Sequence, residues 1–563
     1  VAERLEDLPM QIKNITRLAL IALLIAWSFD QLFWQKPAGI SFLIFVLLCL
    51  GGGLLLTWLE ARRPASTSLL LLVPILFFAA ATVFRLEPFT LLVSSALALG
   101  AMILLTLTWL GGGWWSYNVS DLLVNGLRWL GYTLIGPIQA VSARRSSNAG
   151  ESAADGSSAS VPTLAPTPAP ARTALSILIG LLLALPVAGL LAGLLAAADP
   201  IFAQSLQRVL EIFKIKNLAE YIFRMTYILI FAYALAGVLL YALLKSRDER
   251  ITGADQPWLR PFIGWIEAST LLIVVDLLFA VFVVIQFTYF FGGHANITLE
   301  GYTYAEYARR GFGELVLVAT LSLLLFLGLS FVTRRDPGWS RRLFSALGIG
   351  LVILVLIMLV SAFQRLRLYE AAYGFSSLRT YTHVFMIWLG VLLLATVALE
   401  SFGRLQYFTL AALLTCFGFG ASLVLLNVDG FIVRQNVALA AAGWELDTGY
   451  LVNLSEDAEP GLFAAYHDHS LPAPLHEQLG GILACRAALA GFIAAPNDPT
   501  GSTAPNQPLP WTSFHLSRAR AADLLQANAS ALQAYAPRLE DGLWVVTVAS
   551  EDMPCARGHN YTD

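Results

Sequence analysis

The residues best placed to do chemistry stand in two short stretches, YTYAEYARRGFGELVLVA (302–319) and QRLRLYEAAYGFSSLRTYTH (364–383). In the first, Glu306, Arg310 and Glu314 recur at i, i+4 and i+8, a charge ladder on one helix face. In the second, Arg365, Tyr369 and Tyr373 share a helical stripe, and Arg367 and Glu370 are spaced as an i, i+3 pair. Gly374 offers a helix stop, and Arg379 and His383 open the next helix. Forked guanidinium groups among phenols and carboxylates suit a phosphate or a carboxylate ligand. The plainer alternative is an electrostatic clamp that fixes helix ends. A further ionisable group, Asp276, lies deep in WIEASTLLIVVDLLFAVFVVIQF (265–287). A carboxyl there must be protonated, paired or wet, which makes it a candidate for ion or proton coupling; a bond to a neighbouring helix is the commoner case.

The elements that position these groups follow from composition. Of 563 residues, 57% are hydrophobic and 13% charged, and mean hydropathy is +0.68. Soluble proteins carry roughly 25% charged residues, so a soluble enzyme and a disordered chain are excluded. A net charge of −3 leaves no basic field for a nucleic acid. A bilayer crossing needs about 20 apolar residues. Eleven stretches qualify: 15–34, 38–59, 65–84, 88–110, 173–197, 219–244, 262–290, 312–333, 343–364, 380–400 and 407–427. The expected fold is all-α, a polytopic bundle of about 11 transmembrane helices with a mostly helical C-terminal extramembrane domain. The lipid bilayer is the first partner this implies.

Lys and Arg concentrate on the side that holds the N-terminus, with Arg62, Arg63, Arg144, Arg145, Arg334, Arg335, Arg341 and Arg342 among them. By the positive-inside rule that side is the cytoplasm, and an odd number of spans sends the C-terminal tail outside. The tail holds Cys485 and Cys555, which in an oxidising compartment invite a disulfide, with two free thiols as the alternative. Cys49 and Cys416 fall inside apolar spans.

Four blocks emerge along the chain. Residues 1–141 hold four spans and an interfacial helix. Residues 142–172, rich in Ser, Ala and Pro, read as a disordered linker. Residues 173–427 form a core of seven spans, and 428–563 form the extracytoplasmic domain. In that domain 436–446 and 517–535 have helical patterns, and LWVVTVA (543–549) has a strand pattern. Asp199-Pro200 reads as a helix start, and Asp30 as an interfacial residue. His467, His469 and His476 lie in a Pro-rich loop without a second ligand cluster. Nucleophile-elbow, Walker and dinucleotide motifs are missing, so no catalytic residue, cofactor or metal is assigned.

The stretches ADPIFA (198–203), YAEYARRGFGELVLVA (304–319), RLRLYEAAYGFSSLRTY (365–381), NVDGFIVRQNVALAAAGWELDTGYLVNLSEDAEPGL (427–462) and WTSFHLSRARA (511–521) carry a family resemblance. Across roughly 173–525 the chain resembles the bacterial multi-pass membrane proteins of the domain-of-unknown-function 4153/4173 group. That resemblance implies a polytopic protein of the bacterial inner membrane and brings no catalytic residue. Three roles are compatible with the sequence. The leading one is binding or transport of a small or anionic ligand at the outer ends of the core helices, lined by Glu306, Arg310, Glu314, Arg365, Arg367, Tyr369, Glu370 and Arg379. The alternatives are a membrane-embedded enzyme acting on a lipid-linked substrate, and a non-catalytic envelope sensor or assembly partner that binds a protein.

Overall fold

The computed structural model of the protein describes residues 15–154, 184, 187–203, 206, 218–246, 261–291, 312–334, 338–493, 509–540, 543–549 and 551–555. In chain order come α1 (Ile15–Phe33), α2 (Ile40–Leu59), α3 (Ser66–Phe84) and α4 (Pro88–Leu107). The long helix α5 (Val119–Ala154) and the short apolar α6 (Val187–Ala198) follow. Six long apolar helices come next: α7 (Leu218–Leu244), α8 (Trp265–Phe291), α9 (Phe312–Val332), α10 (Trp339–Tyr373), α11 (Ser377–Ser401) and α12 (Phe408–Leu426). Among the described residues ten helices are long and apolar enough to cross a membrane, all of these except α5 and α6. The eleventh expected span, 173–197, lies largely outside the described residues, with α6 covering its end. The chain stays helical to Ala154, into the stretch expected to be a linker, and 155–172 lie outside the described residues.

Loop contacts sort the helix ends into two layers. In one layer the Gly111 amide donates to the Ser246 carbonyl (3.1 Å), Arg62 donates to the Leu243 carbonyl, and Trp115 stacks on Tyr407. The α5 residue Tyr132 packs there with Leu18, Leu56 and Leu243. In the other layer the Trp34 indole donates to Glu220 (2.9 Å), and Arg224 pairs with Asp30. The α4 helix therefore ends in the first layer, whereas α7 begins in the second.

The C-terminal domain sits on the second layer. It comprises α13 (Val428–Ala441), α14 (Thr448–Val452), α15 (Glu459–Tyr466), α16 (Ala473–Leu489) and α17 (Leu516–Leu532). A three-stranded antiparallel sheet closes it: β1 (Arg538–Glu540), β2 (Leu543–Val548) and β3 (Glu551–Pro554), in the order β1-β2-β3. A run of aromatic and β-branched residues explains β2, whose Val546 pairs with Met553 and is fully buried. Helix α16 is the domain's centre, and the sheet approaches it so closely that a Cβ on Gly481 would overlap the Val548 side chain of β2. Cys485 of α16 and Cys555 after β3 form a disulfide, Cα to Cα 5.2 Å. The Arg486 guanidinium, buried beside it, pairs with Glu459 (2.8 Å) and donates to the carbonyls of Val452, Leu454 and Ser455.

The domain core runs without a break into the bundle. Val428, Ile432, Leu462 and Leu479 share a cluster with Leu423 of α12, and Phe89, Phe375, Tyr381 and Phe419 pack against it. Burying these side chains at the helix ends makes the domain a fixed cap rather than a tethered module.

Candidate functional site

The cap and the bundle meet where α11 begins. Two i, i+4 pairs on its first turns face different neighbours. Ser377 and Tyr381 face the cap and α4, while Arg379 and His383 face the end of α10.

On the cap side, buried acids take the exposed backbone of the bundle's loops. The Glu87 carboxylate caps α4, accepting from the amides of Phe89 (2.8 Å) and Thr90 (2.7 Å), and also accepts the Tyr381 hydroxyl proton. Asp457 accepts from the amides of Leu86 (2.8 Å) and Glu87 (3.0 Å) and from the Ser517 hydroxyl. Asp429 accepts from both the amide (2.8 Å) and the hydroxyl (2.6 Å) of Ser455. Burial, reinforced by the Glu87 and Asp457 charges and opposed by the Ser455 bonds, pushes the Asp429 carboxyl up to about 6. The Ser377 amide donates to the Tyr450 hydroxyl (2.7 Å), and Asn436 brackets Phe375 by accepting from its amide (2.7 Å) and donating to its carbonyl (2.9 Å). Further along the rim, Ser513 and His515 reach the carbonyls of Pro37 and Ala38, each at 2.7 Å. Burial holds the His515 imidazole below its usual range.

On the other side of α11 lie the residues that the sequence singles out. Helix α10 has 35 residues, about 52 Å, against a hydrocarbon core of about 30 Å, so its last turns stand clear of the bilayer interior. It stops at Gly374, whose φ of +77° lies in the region glycine favours. The chain then turns back, and the Arg379 guanidinium lies 4.2 Å over the Tyr369 ring. Its Nη1 donates to the carbonyls of Gly374 (2.6 Å) and Tyr373 (3.3 Å). Tyr369 and Tyr373 are in ring contact at 4.9 Å. Arg365 is half-buried and Arg367 exposed.

Glu370 does not pair with Arg367 as the i, i+3 spacing suggests. It is buried, and its Oε1 meets His383 Nδ1 at 3.0 Å. His383 Nε2 is buried with no hydrogen-bond partner among the described residues. Glu314 is exposed at the start of α9. Glu306 and Arg310 lie outside the described residues. Asp276 is half-buried on α8, and a Cβ on Gly350 of α10 would lie 3.7 Å from its Oδ2. Its Oδ1 has no partner among the described residues.

Sequence reasoning misses the acids at the junction. Glu87 and Asp457 stand 370 residues apart, so no local spacing marks their meeting. Asp30, expected to be interfacial, is almost fully buried and ion-paired: Arg224 Nε donates to it at 2.9 Å, and the Tyr227 hydroxyl also donates. The only local signal is an acid near an aromatic span end. Asp199 does cap its helix, accepting from the Ile201 amide at 2.8 Å.

Residues 67–464 match the family described as Domain of unknown function (DUF4153). The match begins further up the chain than the quoted motifs suggest, taking in α3 and α4, and ends within α15, short of 511–521. No curated protein matches the chain, and no solved structure does.

Proposed function

Because the chain belongs to the DUF4153 family, which is defined without an activity, we propose its function from its own residues. It is a multi-pass protein of the bacterial inner membrane that binds, or carries across the bilayer, a small anionic ligand at the extracytoplasmic ends of its core helices. The observation that carries this reading is Arg379. Its guanidinium is oriented by the Tyr369 ring and two carbonyls, and among the described residues no carboxylate pairs with it. An oriented fork without a carboxylate matches a phosphate or carboxylate ligand. Arg365, Arg367, Tyr369, Glu370 and Glu314 line the same rim. Asp276 is the coupling carboxyl if the ligand is moved.

Two observations support the orientation in this reading. A disulfide in the cap calls for an oxidising compartment. Arg62, Arg63 and Lys245 stand at the opposite layer, as a cytoplasmic face requires. Since α4 ends in that layer and α7 begins in the other, the total number of crossings is odd, and α1, which ends in the cap's layer, begins in the cytoplasmic one.

A thermal-shift titration of the purified protein with inorganic phosphate, glycerol 3-phosphate and succinate tests the reading. At least one of these anions stabilises the parent, and Arg379→Lys, which keeps the charge but not the fork, loses most of the shift. No shift in the parent, or an equal shift in Arg379→Ala, contradicts it.

The second reading, an enzyme acting on a lipid-linked substrate, is favoured by one observation. A buried carboxylate orienting an imidazole whose second nitrogen is unpartnered is the arrangement of a general base. His383→Gln abolishing turnover while leaving anion binding intact would support it.

A further inference from the structure

Away from the cap junction, the bundle encloses a cavity of about 90 Å³ between α1, α2, α4 and α7, partly open to its surroundings. Its wall includes Cys49, Gly53, Thr57, Met102, Leu105 and Leu239. Cys49 and Thr57 are eight residues apart on α2, so the cavity runs about 12 Å along the helix axis, in the half nearer the layer opposite the cap.

The lining offers little to water. Thr57 donates its hydroxyl to the Gly53 carbonyl (2.7 Å) and accepts from the Trp109 indole (3.0 Å). Thr106, the other hydroxyl there, donates to the Ile103 carbonyl (2.8 Å). A buried water needs two to four polar partners, so the occupant is apolar. At this depth in a bundle of spanning helices, the apolar medium is lipid hydrocarbon. Basic groups stand at the end of the cavity. Arg62 donates to the carbonyl of Leu243, itself a lining residue, and the exposed Arg63 and Lys245 flank that contact in sequence. A phosphate-bearing head fits there, one helix end from the chain it would carry.

We propose that this cavity is a binding site for one acyl chain of an anionic phospholipid from the leaflet opposite the cap, with the head near Arg63 and Lys245. Gly53 keeps the space open, since a Cβ there would find no neighbour closer than Leu239 Cδ2 at 4.0 Å. A larger side chain at 53 therefore fills the site without a clash.

The full chain, reconstituted in vesicles of phosphatidylglycerol bearing a diazirine on one acyl chain, tests this on irradiation and peptide mapping. Adducts on Cys49, Met102 and Leu105 are expected, with most of them lost in Gly53→Leu and part of them in Gly53→Ala. Labelling of Leu277, an exposed residue of α8, stays unchanged in both variants and reports that they are folded. Replacing the head by phosphatidylcholine, with the same chain, also lowers cavity labelling. Adducts confined to exposed positions such as Leu277, or cavity adducts indifferent to both variants, overturn the site. Equal labelling by the two heads overturns the assignment of Arg63 and Lys245.

Discussion

The Asp457 carboxylate accepts the backbone amides of both Leu86 and Glu87, at 2.8 and 3.0 Å, and this joins the cap to the turn between α3 and α4. The amides at a helix start have no intrahelical partner. Here the cap supplies one for Leu86 and Glu87, while Glu87 itself serves Phe89 and Thr90, past Pro88, which has no amide hydrogen.

Asp457→Ala leaves those two amides without their acceptor, and the Ser517 hydroxyl with the Phe84 carbonyl alone. The expected loss is about 2–5 kcal/mol, seen as a lowered unfolding temperature and faster proteolysis of the cap. A variant with parent-like unfolding would remove Asp457 from the junction.

Asp429 makes the stability of the cap depend on pH with a definite sign. Its carboxyl sits at about 6 in the folded protein against an ordinary 3.8, so between those values the folded state holds the extra proton. Stability at this group therefore rises as pH falls from about 7 to about 4, by on the order of 2–3 kcal/mol. In Asp429→Asn that gain disappears, and the variant is more stable than the parent at neutral pH. Unfolding of both proteins at pH 7.5 and 5.5 measures it; identical responses contradict the burial of a charged Asp429.

The Cys485–Cys555 bridge closes a loop across a sequence separation of 70 residues. The chain-entropy model assigns such a loop about 4 kcal/mol. Cys555→Ser, or reduction, is expected to lower cap stability by that order and to loosen β3 from α16. Hydrogen exchange across 543–555 is the direct reading, and unchanged protection would show that the sheet holds without the bridge.

Arg486 is a buried cation with one carboxylate and several carbonyls around it. Removing it strands the Glu459 carboxylate, which burial already raises against the pull of Arg486. Arg486→Ala is expected to cost about 3–5 kcal/mol, with part of the loss recovered in the double variant that adds Glu459→Gln. Additive losses in the two variants would contradict the pairing.

Much of this architecture is legible from residue order alone, for a physical reason. A span must satisfy its backbone internally and present about 20 apolar residues to lipid, so each one leaves a contiguous signature. The stop at Gly374, the cap at Asp199 and strand β2 are legible for the same reason, because their causes are local. The cap junction is not. Asp457 meets Leu86, Asp30 meets Arg224 and His515 meets Ala38 across intervals of 371, 194 and 477 residues, and no periodicity records such meetings. Glu370 illustrates the intermediate case. Local spacing offers it Arg367, but the return of the chain at Gly374 brings His383 to it instead.

The proposed function requires the cap to lie outside the cytoplasm, on the face where Arg379 is held. Alkaline phosphatase and a green fluorescent protein, each fused after Asp563 and expressed in a bacterial host, test this most directly. The predicted result is an active phosphatase fusion and a dark fluorescent one. A bright fluorescent fusion with an inactive phosphatase would put the cap, and the Arg379 rim with it, in the cytoplasm.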